Sequence, residues 1–431
     1  MIKNEMTKSQ TPHGENFTLK DFLGKGQSIK ERIEQFRPFY ELCVNDSTNS
    51  YMRKIIKNYG PTVDVQTGES VKHMLMFGSN NYLGLAEDKR IADAIIKTTE
   101  EHGSGVGGPP LLNGMTGIHV EFESRLASFK HREEVMLFSS GYQANLAWVQ
   151  GLVRAGDVVI YDELSHASFF DGLGLASSKG KIHSIAVSHN DLNSYEKALK
   201  EAKQLCNGSG QIFLTFEGVY SMDGDVCPLP GIIELAKTYG AFTVMDDAHG
   251  TGVLGKSGSG KEEHFGCEGL VDLIIGTFSK AFAMNGGFIA ASSKVIQYLR
   301  FFARPYMFSA HMPISTVAGL SAGLEIIQSE PQRRERLLEN SKNIAESLDE
   351  MGCHVLPSDS AIIAVKLPQK EPLLKVSQKL GDAGLFVGGI GYPAVPKSEE
   401  RIRISTMSTH TEEHIKRLLD VFKSCVISRV C

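Results

Sequence analysis

The chain has 431 residues, a formal net charge of −5 and a hydrophobic fraction of 42%, a composition typical of a globular protein with two or three packed units. The slight acidity offers no basic surface for nucleic acid, and no apolar run reaches the length of a membrane span. We therefore expect a cytoplasmic protein that does not bind nucleic acid, and peripheral membrane contact stays open. The seven cysteines are scattered without a C-x-x-C spacing, so neither a disulfide framework nor a metal site is indicated.

The middle of the chain alternates short apolar runs with helical stretches. Residues 1–16 lack periodicity and are expected to fray, and residues 17–42 have the apolar spacing of a helical arm lying on another surface. The predicted strands are Val135–Phe138, Val158–Tyr161, Ile212–Phe216, Phe242–Met245 and Leu273–Ile275, and the predicted helices are Ile118–Phe129, Leu192–Leu205 and Gly231–Tyr239. This alternation predicts an α/β fold with a mostly parallel sheet, which binds ligands beyond the carboxyl ends of its strands.

A different pattern begins after the charged helix near Glu330–Arg336. The strands Ile362–Lys366 and Ile402–Ser405 alternate there with helices, as in a smaller α+β domain. We therefore predict an N-terminal arm and small segment over residues 1–75, a large domain over 76–320 and a C-terminal α+β domain over 321–431.

An acidic pair, Asp246 and Asp247, ends one predicted strand. Burying such a pair is costly unless a cation lies nearby. A pyridinium nitrogen is one such cation, and an aspartate beside it keeps the ring protonated as an electron sink. His249 could then reach an oxygen of the same ring. The structural alternative is a helix-capping aspartate beside a core histidine.

A second motif, Gly276–Lys280, follows the next predicted strand. A lysine in this apolar, glycine-rich setting is expected to have a lowered pKa, which an amine that forms a Schiff base needs. Thr277 and Ser279 offer hydroxyl groups to a phosphate. A solvated surface lysine is the alternative, and the acidic motif earlier in the chain disfavours it.

Two more loops fit the same ligand. Ser139–Asn145 turns from a strand into a helix, where backbone N–H groups can hold a phosphate. Asp162–Ser168 follows the next strand and places His166 where it could stack on an aromatic ring. Each signal is weak alone, because glycine turns are common and a lone loop histidine is usually inert. Together, on successive strands, they favour one shared site.

The chain resembles the α-oxoamine synthases, which are fold-type-I pyridoxal-phosphate enzymes that join an amino acid to an acyl thioester with loss of carbon dioxide. The resemblance runs from about Arg37 to Phe422. Besides the motifs above, it rests on Phe77–Gly84, Asn113–Gly114, His119, Glu217–Asp225, Arg304–Tyr306 and Arg403. Within this family the chain is most similar to the serine palmitoyltransferases, through Met76–Asn80, Gly218–Met222 and Arg304–Phe308.

The resemblance implies a role for each matching residue. Lys280 matches the Schiff-base lysine, and Asp246 matches the partner of the pyridine nitrogen. His249 matches the partner of the phenolic oxygen. His166 matches the ring-stacking histidine, which also touches the substrate carboxylate. The remaining implied positions are the cofactor contacts Gly141, Tyr142, Ser221, Thr277 and Ser279, the substrate contacts Asn80, Tyr82 and Arg403, and Ser309 as a phosphate contact across a dimer. A surface strand position is the alternative for Arg403.

The implied assembly is a homodimer with sites at its interface, and the loop of Asn80 and Tyr82 often belongs to the partner subunit in the family. The implied reaction condenses an amino acid, in the first place L-serine, with a long-chain acyl thioester of coenzyme A or a carrier protein. Its products are a 3-keto sphingoid base, carbon dioxide and a free thiol.

Several alternatives stay open. Glycine, alanine or cysteate could replace serine in the same chemistry. An aminotransferase and a non-catalytic partner subunit are alternatives of other classes, although intact Lys280, Asp246 and His166 disfavour the second. The chain departs from the family at Gly108–Pro110, where Gly-Ser-Arg is usual, and at Gly391–Pro396, which lacks an arginine often found before its prolines. These departures leave the amino acid and the acyl chain open.

Overall fold

A computed structural model describes residues 26–45, 51–178, 180–206, 208–368 and 372–426. The helices are α1 Ile29–Asn45, α2 Lys89–His102, α3 Gly117–Phe129, α4 Gly141–Leu152, α5 Ala167–Ser177, α6 Leu192–Cys206, α7 Leu229–Tyr239, α8 Lys261–Phe265, α9 Ser293–Phe302, α10 Arg304–Met307, α11 Ile314–Ser329, α12 Gln332–Glu350, α13 Leu373–Asp382 and α14 Glu412–Cys425. The predicted fraying of residues 1–16 and the first part of the predicted arm lie outside the described residues.

The strands form three sheets. They are β1 Lys54–Asn58, β2 Thr62–Thr67, β3 Ser70–Met76, β4 Glu134–Phe138, β5 Val158–Asp162, β6 His183–Val187, β7 Ile212–Glu217, β8 Phe242–Asp246, β9 Leu273–Thr277, β10 Gly287–Ala291, β11 His354–Val355, β12 Ile362–Lys366, β13 Leu385–Phe386, β14 Gly388–Ile390 and β15 Arg401–Ser405.

The largest sheet has seven strands in the order β4-β10-β9-β8-β7-β5-β6. All of its paired neighbours are parallel except β10, which runs antiparallel to both β4 and β9. The five strands predicted from the sequence are β4, β5, β7, β8 and β9. The sheet therefore has the expected mostly parallel arrangement, and β6 and β10 complete it.

Helices cover both faces of this sheet, so its central strands are apolar throughout. All residues of β7 and β9 are buried, as expected for parallel strands between two layers of helices. One core lies under α3, α6, α7 and α11, and the other under α4, α5 and α9. Trp148 of α4 is fully buried in the second core and stacks on Phe169, with ring centroids 6.1 Å apart.

Two smaller sheets are formed by strands that precede and follow the strands of the large sheet in the chain. One has the order β1-β2-β3-β13, in which β13 is parallel to β3. The other, β11-β12-β15-β14, is antiparallel and contains the two C-terminal strands predicted from the sequence. The predicted division at residues 75 and 320 stays a prediction. Within the described ranges, no helix is both long and apolar enough to cross a membrane.

Candidate active site

The two sequence motifs with the strongest chemistry lie on adjacent strands. Asp246 is the last residue of β8, and Lys280 lies three residues beyond the end of β9. Two donors hold the aspartate: Asn145 Nδ2 lies 2.7 Å from Oδ2, and the backbone N–H of Ala248 lies 3.1 Å from Oδ1. Asp246 is thus a fixed acceptor at the carboxyl edge of the sheet.

The surroundings of Lys280 favour the neutral form of its amine. Burial lowers the pKa of Lys280 to about 8, although the charges of Asp246 and Glu217 oppose this shift. The positive charge of Arg403 acts in the same direction as burial. A lysine with such a pKa is a better nucleophile and base at neutral pH than a solvated one.

The acidic pair has two separate functions in the structure. Asp247 is fully buried, and its Oδ2 accepts a hydrogen bond from Lys130 Nζ at 2.9 Å and from Thr251 Oγ1 at 3.1 Å. Lys130 therefore supplies the cation that a buried aspartate requires. Asp247 is a structural residue, and Asp246 is the member of the pair that faces Lys280.

Two histidines lie close to the lysine and are both shifted towards the neutral state. His166 precedes α5 as its capping residue, and its Nδ1 lies 2.7 Å from Ser168 Oγ. Its pKa is lowered by burial and by Lys280, while Asp246 opposes the shift. His249 is buried, and burial together with Lys280 and Arg403 places its pKa well below the usual value.

Arg403 links the C-terminal sheet to this site. Its Nε donates to the carbonyl oxygen of Ser221 at 2.6 Å, and its Nη1 donates to Asn80 Oδ1 at 3.1 Å. Tyr82 Oη lies 3.4 Å from Arg403 Nη2 and 2.8 Å from His249 Nδ1. Only 8% of Arg403 is exposed, so the alternative of a surface strand arginine is wrong.

These contacts place the loop of Asn80 and Tyr82 in the site of its own chain, because their partners Arg403 and His249 belong to the same chain. Ser309 is not brought to the other predicted residues. It is half-exposed, and its hydroxyl donates to the neighbouring carbonyl of Ala310 at 3.4 Å.

The predicted phosphate positions meet where α4 begins. Gly141 is its first residue, and a Cβ added there would lie 2.9 Å from Thr277 Cβ, so only glycine allows this close approach. The backbone N–H of Ser279 donates to Thr277 Oγ1 at 3.2 Å. Tyr142 is partly exposed and donates a hydrogen bond to Asp171. A helix N-terminus beside hydroxyl groups suits a phosphate.

Sequence reasoning missed two residues of this site. Asn145 holds Asp246, and Glu217 ends β7 directly beside Asp246 in the sheet. Asn145 is four residues after Gly141, so helical spacing already placed both on one face of α4. Glu217 begins one of the motifs of the family resemblance, but only the parallel pairing of β7 with β8 shows that it lies beside Asp246.

A nucleophilic amine, a fixed carboxylate, an imidazole and a helix N-terminus on one sheet edge are the donor set that pyridoxal phosphate needs. This fold and site define a fold-type-I pyridoxal-phosphate enzyme. The family model for aminotransferase class I and II matches residues 72–422.

Comparison with individual relatives shows which enzymes of this class the chain is similar to. An 8-amino-7-oxononanoate synthase of Lysinibacillus sphaericus is 39% identical over 82% of this chain and 88% of its own. A serine palmitoyltransferase of Sphingobacterium spiritivorum is 37% identical over 94% of this chain and 99% of its own. The structure of Sphingomonas wittichii serine palmitoyltransferase superposes with a TM-score of 0.85 and 31% identity, over 93% of this chain and 98% of that one.

The chain belongs to the α-oxoamine synthase family within aminotransferase class I and II. It is therefore a pyridoxal-phosphate-dependent acyltransferase, and the predicted fold class and cofactor are confirmed.

Proposed function

We propose that the chain condenses L-serine with a long-chain acyl thioester and releases a 3-keto sphingoid base, carbon dioxide and a free thiol. The superposition on serine palmitoyltransferase, with a TM-score of 0.85 over 93% of this chain, carries the proposal. A second candidate is the same condensation with another amino acid. The 39% identity to an 8-amino-7-oxononanoate synthase favours that candidate.

In this proposal the sheet edge holds the cofactor. Lys280 Nζ would hold it covalently, Asp246 would pair with its ring nitrogen, and His166 would pack against its ring. Gly141, Thr277 and the neighbouring residues Tyr142 and Ser279 would hold its phosphate, and Ser221 and His249 would serve its phenolic oxygen. When bound, pyridoxal phosphate supplies an electron-withdrawing ring that stabilises negative charge at the α-carbon of the amino acid.

Arg403 and His166 receive the carboxylate of the amino acid. A guanidinium binds a carboxylate through donors in fixed directions, which would set the orientation of the α-carbon as well as its position. The contacts of Arg403 with Ser221 and Asn80 hold the guanidinium plane in place before substrate arrives. This pre-organisation reduces the entropy that must be lost on binding.

Lys280 Nζ, which would be released when the amine of the substrate takes its place, would remove the α-proton of the oriented amino acid. Its pKa of about 8 suits this step, because a general base works best when its pKa lies near the working pH. His249 remains neutral, since its pKa is well below the usual value, and it can donate a hydrogen bond without adding positive charge.

The acyl chain requires an apolar surface, which a homodimer would provide. Leu112, three residues after Pro109, is 83% exposed. Phe308, next to Ser309, is 71% exposed. Large exposed apolar side chains are typical of surfaces that are covered by a partner. We propose that a second copy covers them, that Ser309 reaches the partner's phosphate site, and that Pro305–Pro313 and the helical arm line an acyl channel.

A substrate matrix tests this function. Butyryl-, decanoyl- and palmitoyl-coenzyme A are each combined with serine, glycine, alanine or cysteate, and thiol release is measured. Each buried methylene contributes about 0.8 kcal/mol, so kcat/KM should rise steeply towards the longest chain with serine. A flat or short-chain optimum would remove the sphingoid-base product, and preference for glycine, alanine or cysteate would support the second candidate. Keto-acid formation without thiol release would indicate an aminotransferase.

A further inference from the structure

Glu217 is a buried carboxyl group that the proposed mechanism does not use. It is 5% exposed and ends β7, where it pairs in register with Asp246 of β8. Side chains of paired residues in neighbouring parallel strands point to the same side of the sheet. The two carboxyl groups therefore lie side by side at the edge that holds the cofactor.

The contacts of Glu217 are incomplete for an ionised carboxylate. The backbone N–H of His166 faces this carboxyl group and acts to lower its pKa, whereas Oε1 of Glu217 has no hydrogen-bond partner among the described residues. A buried carboxylate usually binds several donors, because an unsatisfied charge costs several kcal/mol in a nonpolar environment. The neighbouring acceptor is another carboxylate, which can pair with Glu217 only through a shared proton.

The surrounding charges also favour a proton on this group. Burial and the charge of Asp246 raise the pKa of Glu217 well above its usual value. Asp162 acts in the same direction, and Lys280 opposes the shift. Asp246 already accepts from Asn145 and from the backbone of Ala248, so a further donor would complete its surroundings.

We propose that Glu217 is a positioning residue that acts as a neutral carboxylic acid, donating from one oxygen to Asp246 and accepting from the backbone N–H of His166 with the other. It holds the partner of the cofactor nitrogen and the loop of the stacking histidine in one geometry. A neutral neighbour also leaves Asp246 as the anion that faces the ring. The inference rests on the proposed roles of Asp246 and His166.

Two substitutions separate this role from a charged one. Glu217→Gln keeps one donor and one acceptor in the same shape, and Glu217→Met keeps the length without hydrogen bonds. For the glutamine variant we expect cofactor affinity within about threefold of wild type and an unchanged visible absorbance maximum. For the methionine variant, loss of a hydrogen bond to a charged group should weaken cofactor binding by roughly ten- to a hundredfold.

The matched control is Glu123→Met on α3. Glu123 is also 5% exposed, and its Oε1 also lacks a partner among the described residues. This control is expected to lower the thermal midpoint of the cofactor-free protein without changing cofactor affinity. The inference is overturned if Glu217→Gln loses as much affinity as Glu217→Met, or if Glu217→Met binds the cofactor like wild type.

Infrared spectroscopy gives an answer that does not depend on the methionine variant folding. At pH 7.5 the wild-type protein should show the carbonyl stretch of a protonated carboxylic acid that Glu217→Gln lacks, and the absence of this difference would refute a neutral Glu217. The Asp246→Asn variant distinguishes a failure of the proposed cofactor site from a failure of the role proposed for Glu217. If Asp246→Asn binds the cofactor normally, the proposed site itself is wrong; if it loses binding while Glu217→Met does not, only the role of Glu217 is wrong.

Discussion

Replacing Arg403 by lysine tests how the site recognises an amino acid. The substitution keeps the positive charge but replaces a planar fork of donors with a single ammonium group. In the structure the guanidinium is oriented by Ser221, Asn80 and Ser405, with donor–acceptor distances of 2.6, 3.1 and 2.9 Å. A lysine cannot keep all of these contacts, and its ammonium group lacks the fixed planar donor geometry with which a guanidinium binds a carboxylate.

The expected effect follows from the loss of one hydrogen bond to a charged group. Such a bond contributes about 1.5–3 kcal/mol, which corresponds to roughly a ten- to 150-fold loss of amino-acid affinity. Cofactor affinity should remain near wild type, because the residues assigned to the phosphate, at the start of α4 and at the end of β9, are not hydrogen-bond partners of Arg403.

The assay is a titration of the cofactor-loaded enzyme with serine, followed by the change in visible absorbance, together with the steady-state KM for serine. Arg334→Lys is the matched control. Arg334 is also buried, at 4% exposed, and donates to the backbone carbonyls of Ile327 and Lys256 outside the site. An unchanged KM in Arg403→Lys, or an equal rise in Arg334→Lys, would refute the assignment.

Three further predictions concern the lysine, the assembly and the pH dependence of stability. Lys280→Ala should abolish the visible absorbance of the lysine-bound cofactor and the condensation, and substantial remaining turnover would contradict this role. Light scattering should show at least a homodimer, and a fully active monomer would contradict the proposed interface. His189 bridges Asp162 and Asp225 at 3.0 and 2.7 Å, which raises its pKa to about 10; its stabilising effect should therefore be complete below about pH 6.5 and decline as the pH rises to about 10. Urea unfolding should show a steeper loss of stability over this range in wild type than in His189→Gln, and equal slopes would contradict the bridge.

The sequence predicted the strands that are buried on both faces, because such strands are continuous apolar runs. β7 and β9 belong to this group, and their predicted positions agree with the structure within two residues. β6 was missed because it is an edge strand with a mixed burial pattern. β10 begins with a glycine, and it pairs with β4, which lies far away in the chain, as well as with the preceding strand β9. Its pairing with β4 has no local signal in the sequence.

The sequence predicted those site residues that belong to a single short motif at the end of a strand. Asp246 ends a strand, Lys280 and His166 follow one, and parallel strands bring their carboxyl ends to one edge. The contacts among them were not predictable from spacing. Asn80 and Arg403 are separated by 323 positions, and Tyr82 and His249 by 167. These residues meet only because the two smaller sheets pack against the large sheet.

The charges that remain in the site explain how a substrate would be oriented. His249 is shifted strongly towards the neutral form, and Lys280 is shifted in the same direction. Asp246 and Arg403 then remain as opposite charges on different elements, β8 and β15. In the proposed function, a protonated ring nitrogen would be attracted to the aspartate and an amino-acid carboxylate to the arginine, so the α-carbon would be held where Lys280 Nζ could reach its proton. Because these groups are common to every α-amino acid, the proposed selection of serine would have to come from the side-chain environment. The altered segments Gly108–Pro110 and Gly391–Pro396 are where we expect it.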